Sequence, residues 1–225
     1  AGMLWAPSSF AFQTKAKYAY MIDNYTGTLL FAKQADAQMH PSSMSKLMTT
    51  YVLYKHIREG RVKLTDTFKV SEKAWRMGGS KMFVHVGDEV PVEELLKGII
   101  IQSGNDACVV VAENLSGTEE AFAEEMNAAA KELGLTQSHF VNATGMPDPG
   151  QQMSARDLAT LAQHLLREFP EDYHYYSERE FTYAGIHQPN RNRLLGGSLG
   201  VDGFKTGHTE IAGYGITLSA KDPAT

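Results

Sequence analysis

The 225-residue chain has a single cysteine, so no disulfide can form within it and a small disulfide-stapled fold is excluded. It has no run of 18 apolar residues, and so no segment that reads as a membrane-spanning helix. It also has no excess of basic charge. Lys and Arg number 21 against 26 Asp and Glu, a net charge of −5, which argues against a nucleic-acid partner. The eight histidines show no His-Glu-x-x-His or comparable spacing, so no metal site is expected. Internal repeats and low-complexity tracts are absent. The first ten residues have neither the basic n-region nor the long apolar h-region of a signal peptide, and read as a mature end.

With 43% hydrophobic and 21% charged residues, the chain can bury a substantial core as one domain or two closely packed lobes. Tyr18 to Ile22, a turn at Asp23 to Gly27 and Leu29 to Ala32 predict an opening hairpin. The run from Leu47 to Ile57 is apolar almost all round, which predicts a helix buried in the middle of the protein and stopped at Gly60. Further helices are expected from Pro91, from Glu119 to Leu133 with a stop at Gly134, and from a cap at Ser154. Strand character returns at Phe181 to Ala184 and at Gly213 to Ala220. The expected layout is one antiparallel sheet built from both ends of the chain, with a helical lobe inserted between. Cys108, in Ala-Cys-Val-Val-Val-Ala, reads as a buried helical thiol, there being no adjacent His to activate it.

Three short strings carry chemistry: Ser43-Met44-Ser45-Lys46, Ser103-Gly104-Asn105 and Lys205-Thr206-Gly207. Alone, each has a bland reading as helix surface, a loop between helices or a strand end. Together and in this order they match the serine-nucleophile signature shared by penicillin-binding proteins and class A β-lactamases, with Ser-Gly-Asn in place of Ser-Asp-Asn. On a helix, positions i and i+3 share a face, so Lys46 can reach Ser43 and act as its base. Desolvation and the charge of Lys205 are expected to lower the Lys46 pKa. Ser103 reads as the proton relay to the leaving amine, and Asn105 as an amide orienting Lys46 or the substrate backbone. Lys205, Thr206 and Thr209 offer a cation and hydroxyls for a carboxylate. Gly207 lets a strand edge approach the ligand, so that the His208 N–H stands beside that of Ser43 as an oxyanion donor. Trp75 and Met77 read as a packed loop, and Asp202 lies outside the site.

From Lys17 to Ala220 the chain resembles the serine-type D-Ala-D-Ala carboxypeptidases, the low-molecular-mass penicillin-binding proteins of peptidase family S11. The resemblance includes Ser71-Glu72-Lys73-Ala74-Trp75, Met77-Gly78-Gly79-Ser80, Val86-Gly87-Asp88, Asn142-Ala143-Thr144-Gly145, Asn190-Arg191-Asn192 and Val201 to Thr209. It implies an α+β, β-lactamase/transpeptidase-like fold in a single catalytic domain, 1–225. The sheet lobe would lie at about 17–62 and 175–225, the helical lobe at about 63–174, with the catalytic cleft at their seam. It also implies removal of the terminal D-Ala from peptidoglycan stem peptides through an acyl-enzyme on Ser43, acylation by β-lactams, and no cofactor. Ser-Gly-Asn at the middle string and the lack of a Glu-x-x-Leu-Asn loop separate the chain from class A β-lactamases. A β-lactamase and a non-catalytic β-lactam sensor are the rival readings, and endopeptidase activity stays open. The resemblance places the protein in the periplasm or cell wall, with any membrane association through a C-terminal region beyond Thr225, where family members usually continue with another strand and a closing helix.

Overall fold

The computed structural model describes residues 13–221. The opening hairpin forms as expected: β1 (Ala19–Ile22) pairs antiparallel with β2 (Leu29–Lys33). Its turn is fixed by the Asp23 carboxylate, which accepts from Thr26 N at 2.6 Å, and by Gly27 at φ +73°. After the hairpin comes a single 3-10 turn, Ser42–Ser45, which leads into α1 (Lys46–Arg58). Every α1 residue from Lys46 to Tyr54 is buried, as the all-round apolar run requires, and Gly60 ends the turn at φ +71°.

β3 (Thr67–Lys69) and β4 (Glu89–Pro91) form a second small ladder, with α2 (Glu72–Arg76) between them in sequence. Four longer helices follow: α3 (Val92–Ile100), α4 (Asn105–Ser116), α5 (Glu119–Glu132) and α6 (Ala155–Glu168). Their starts obey local rules. Pro91 precedes α3, whose first turn holds Glu93 and Glu94. Thr118 Oγ1 accepts from Ala121 N at 3.0 Å, and Ser154 Oγ from Asp157 N at 3.1 Å. α1 packs against α3, α4, α5 and α6, so the turn that carries Ser43 leads straight into a helix buried in the core. Leu47, Met48, Leu95, Ile99, Val109, Phe122 and Met126 are fully enclosed in this core, and so is the Cys108 thiol, whose pKa burial pushes up to about 12.

β5 (Glu180–Tyr183) pairs with β6 (Ile186–Pro189), and β7 (Val201–Thr209) with β8 (Gly213–Ala220). Here the structure departs from the expected continuous sheet. Among the described residues the ladders are four separate two-stranded ones, and β1–β2 is not hydrogen-bonded to β7–β8. No described strand lies between the two hairpins, and they are related instead through α6, which packs against both β1 and β8. A hydrophobicity pattern gives a strand's inward face but not its lateral neighbour, which is why the sequence suggested a single sheet.

Candidate active site

Ser43 sits on the 3-10 turn rather than on the first turn of α1, because Ser42 is held in the left-handed region at φ +51° and cannot join a regular helix. In a 3-10 turn side chains at i and i+3 eclipse, which brings the expected pair closer still. Lys46 Nζ lies 3.0 Å from Ser43 Oγ. It donates to Asn105 Oδ1 at 2.8 Å and to the Thr144 carbonyl at 2.6 Å. The Asn105 amide cannot be reversed, because its Nδ2 donates to Gly78 O at 2.8 Å. Both of these Lys46 partners can only accept. A neutral amine has two N–H groups, which they occupy, so its lone pair is left facing the Ser43 hydroxyl.

Burial lowers the Lys46 pKa, aided by the charge of Arg191 and opposed by the Asp106 carboxylate. Burial holds Lys205 well below the usual lysine range, and the neighbouring Lys46 charge acts in the same direction. The Lys205 side chain makes no hydrogen bond or ion pair among the described residues.

Ser103 links α3 to α4 at φ +58°, and its buried hydroxyl has no hydrogen-bond partner among the described residues. Ser42 and Ser103 thus both hold sparsely populated backbone conformations at a cost of order 1–3 kcal/mol each. Only Ser43, of the residues from Pro41 to Lys46, is not fully buried.

β7 lies directly against the nucleophile turn. A Cβ on Gly207 would stand 3.0 Å from Ser42 Cβ and 3.2 Å from both Met44 N and Pro41 O. The small residue is therefore required by the turn, a different reason from the ligand approach inferred from sequence. Thr209 Oγ1 lies 3.2 Å from Ser42 Oγ. Strand alternation puts Lys205, Gly207 and Thr209 on the face toward that turn and Thr206 and His208 on the other. The His208 ring is exposed and packs on Tyr214 at 4.2 Å, so only its backbone stands beside the site.

Three supports were not read from sequence. Asn142 Oδ1 accepts from Thr144 N, Thr144 Oγ1 and Gly145 N at 3.1, 3.0 and 2.8 Å, which shapes the loop that presents the Thr144 carbonyl to Lys46. Gly145, at φ +81°, has no room for a Cβ, which would fall 2.0 Å from Ser42 O. The Asn-x-Thr-Gly composition was the available signal for this turn. Asp106, fully buried at the start of α4, accepts from Met82 N and Phe83 N, each at 2.8 Å, and pins the loop preceding the Ser103 string. Arg191 is exposed, and its charge reaches both Lys46 and Lys205. Asp202, left outside the site, is held by Tyr173 OH at 2.7 Å and Ser219 Oγ at 2.8 Å.

Residues 6–224 match a protein family described as D-alanyl-D-alanine carboxypeptidase, Peptidase S11. The chain is 42% identical to the Escherichia coli D-alanyl-D-alanine carboxypeptidase DacC over 96% of its own length and 58% of that protein's. It is likewise 42% identical to Bacillus subtilis DacF, covering 97% of this chain and 60% of the other. Penicillin binding protein 5 from Haemophilus influenzae superposes with a TM-score of 0.91 at 40% identity, over 94% of this chain and 63% of that one. The shared fold is the α+β fold of the penicillin-binding proteins. The chain spans a little over half the length of the curated relatives it matches.

Proposed function

The chain belongs to the D-alanyl-D-alanine carboxypeptidase family S11, and from that premise we propose that it removes the terminal D-Ala from peptidoglycan stem peptides and is acylated by β-lactams at the same serine. The observation that carries the reading is the Lys46 amine, 3.0 Å from Ser43 Oγ, with both of its N–H groups taken by acceptors. That arrangement makes a general base out of a lysine. Lys46 takes the Ser43 proton as Oγ adds to the scissile carbonyl. The N–H groups of Ser43, on the 3-10 turn, and of His208, on β7, hold the oxyanion. Collapse breaks the C–N bond, and the free Ser103 hydroxyl passes the proton from Lys46 to the departing D-Ala amine. Water then attacks the ester, Lys46 accepts its proton, and Ser43 is released with its hydrogen restored. Lys205, Thr209 and the exposed Arg191 provide charge and a hydroxyl for the substrate's terminal carboxylate, while Thr206, on the opposite face of β7, is not part of that set.

In this reading the whole chain is one catalytic domain. A sheet lobe at about 17–62 and 175–225 carries Ser43 and Lys205, and a helical lobe at about 63–174 carries Ser103 and Asn105. The substrate lies outside the cytoplasmic membrane, which places the protein in the periplasm or cell wall. No described helix is long and apolar enough to cross a membrane.

The test is the intact mass of the protein after benzylpenicillin, followed in time beside D-Ala release from a diacyl-D-Ala-D-Ala peptide. The expected result is a persistent one-to-one adduct, D-Ala release, and loss of both in Ser43→Ala. A short-lived adduct with accumulating hydrolysed penicillin would make the protein a β-lactamase, and an adduct without D-Ala release a sensor.

A further inference from the structure

We propose that Thr49 and Glu119 are positioning residues of the reaction: by gripping the carbonyl and the N–H of Ala143, they fix the next carbonyl, that of Thr144, as an acceptor for Lys46. The proposal rests on the reading of Lys46 as the base that activates Ser43.

Residues 140–146 belong to no helix or strand, yet Ala143 and Thr144 are buried, so their backbone groups need partners that no ladder supplies. Side chains supply them. Asn127 takes both the N–H and the carbonyl of Phe140 at 2.8 Å, and Gln151 Oε1 accepts from Val141 N at 2.8 Å and from Asn142 N at 3.2 Å. Ala143 comes next. Its N–H donates to Glu119 Oε1 at 3.2 Å, and its carbonyl accepts from Thr49 Oγ1 at 2.7 Å. One residue on, the Thr144 carbonyl accepts from Lys46 Nζ at 2.6 Å.

Both partners of Ala143 are themselves held. Lys46 and Thr49 lie three residues apart on one face of α1, so a single buried helix takes two successive carbonyls, and the base and its acceptor share one frame. Glu119 is buried in the first turn of α5, and its second oxygen, Oε2, stands 3.0 Å from Lys73 Nζ of α2. Removing either grip leaves a buried backbone group of Ala143 without a partner, which costs more than the bond itself contributes and lets the segment shift.

A shift would act on Lys46 in two ways. It would release an N–H, so the lone pair is no longer confined to the Ser43 hydroxyl. It would also weaken the ammonium more than the amine, because a charged donor makes the stronger hydrogen bond, and the Lys46 pKa would fall further. The other charged and titratable groups that act on Lys46 are Asp106 and Cys108 of α4, Lys205 of β7 and Arg191, and none of them holds Ala143. Loss of the grip therefore has a double signature: slower acylation at the high-pH plateau, and an acid limb displaced to lower pH.

The experiment measures the rate of benzylpenicillin acylation across pH by quenched intact mass in the wild type, Thr49→Val, Thr49→Ser, Glu119→Ala and Glu119→Gln, with thermal melting to report the fold. Thr49→Val keeps the side-chain shape without the hydroxyl. Its plateau should fall at least about tenfold, and its acid limb should move down by about one pH unit. Thr49→Ser restores the donor and should return both to within about threefold of the wild type. Glu119→Ala should show the same double change, and Glu119→Gln, which keeps an oxygen for Ala143 N, should reverse it. Wild-type plateau and limb in Thr49→Val overturn the proposal, and so does a lowered plateau with an unmoved limb, which marks a merely structural effect. If Thr49→Val does not fold, the Glu119 pair decides by the same outcomes. A wild type that forms no penicillin adduct overturns the reading of Ser43 and Lys46, and the positioning roles with it.

Discussion

In the role proposed for Lys46 as base, its neighbours' valence counts for more than its own chemistry. Asn105 Oδ1 and the Thr144 carbonyl accept without being able to donate, and burial disfavours the ammonium. The sign of the pH dependence follows. The active form is the neutral amine, so acylation falls as pH drops through the lowered Lys46 pKa, about tenfold per unit. Asn105→Asp keeps an oxygen at 2.8 Å but adds a negative charge that favours the ammonium, so the Lys46 pKa rises. The acid limb of the benzylpenicillin acylation profile should therefore move to higher pH by about one to three units. Stopped-flow or quenched mass measurements across pH check this, and an unmoved limb would falsify the assignment of Lys46 as base. At this scale the sequence was informative: the three-residue spacing put Lys46 within reach of Ser43, and Ser-Gly-Asn supplied the Asn105 amide that Lys46 meets. The Thr144 carbonyl was not legible, since backbone atoms leave no mark in composition.

Among elements, the decisive contact is β7 against the nucleophile turn. Gly207 and its cross-strand partner Gly215 leave the strand pair bare where it crosses Pro41 to Met44. Gly207→Ala places a methyl 3.0 Å from Ser42 Cβ and 3.2 Å from two backbone atoms, which the rigid turn cannot yield. We expect a destabilisation of about 1–3 kcal/mol and a loss of penicillin acylation of at least about a hundredfold, as Lys205 and the β7 edge move away from Ser43. Thermal melting and adduct formation measure the two effects, and wild-type acylation in this variant would contradict the required closeness. The strands and helices themselves were largely readable, because caps such as Thr118 and Ser154 and stops such as Gly60 act within a few residues. The 3-10 character of Ser42–Ser45 was not, for it depends on the left-handed backbone of Ser42, a residue with no intrinsic preference for it.

In the whole molecule, the proposed site draws on five stretches of chain: 42–46, 103–105, 142–145, 191 and 205–209. α1 holds the first against α3, α4, α5 and α6, so the geometry depends on the common core rather than on a local loop. Loss of penicillin labelling on heating should then coincide with global unfolding followed by circular dichroism. Labelling lost several degrees earlier would show that the site melts on its own.

By itself, the sequence determined that Lys46 can reach Ser43 and in what order the secondary structure runs, because spacing along a helix, capping residues and apolar periodicity are local and obey fixed geometry. Only the tertiary structure decided that Asn105 and Thr144 exhaust the donors of Lys46, that Gly207 serves the turn, that Asp106 anchors the loop before Ser103, and that the two end hairpins meet through α6 rather than through a shared ladder. These depend on segments tens of residues apart meeting in space, and chain distance encodes neither their direction nor their separation.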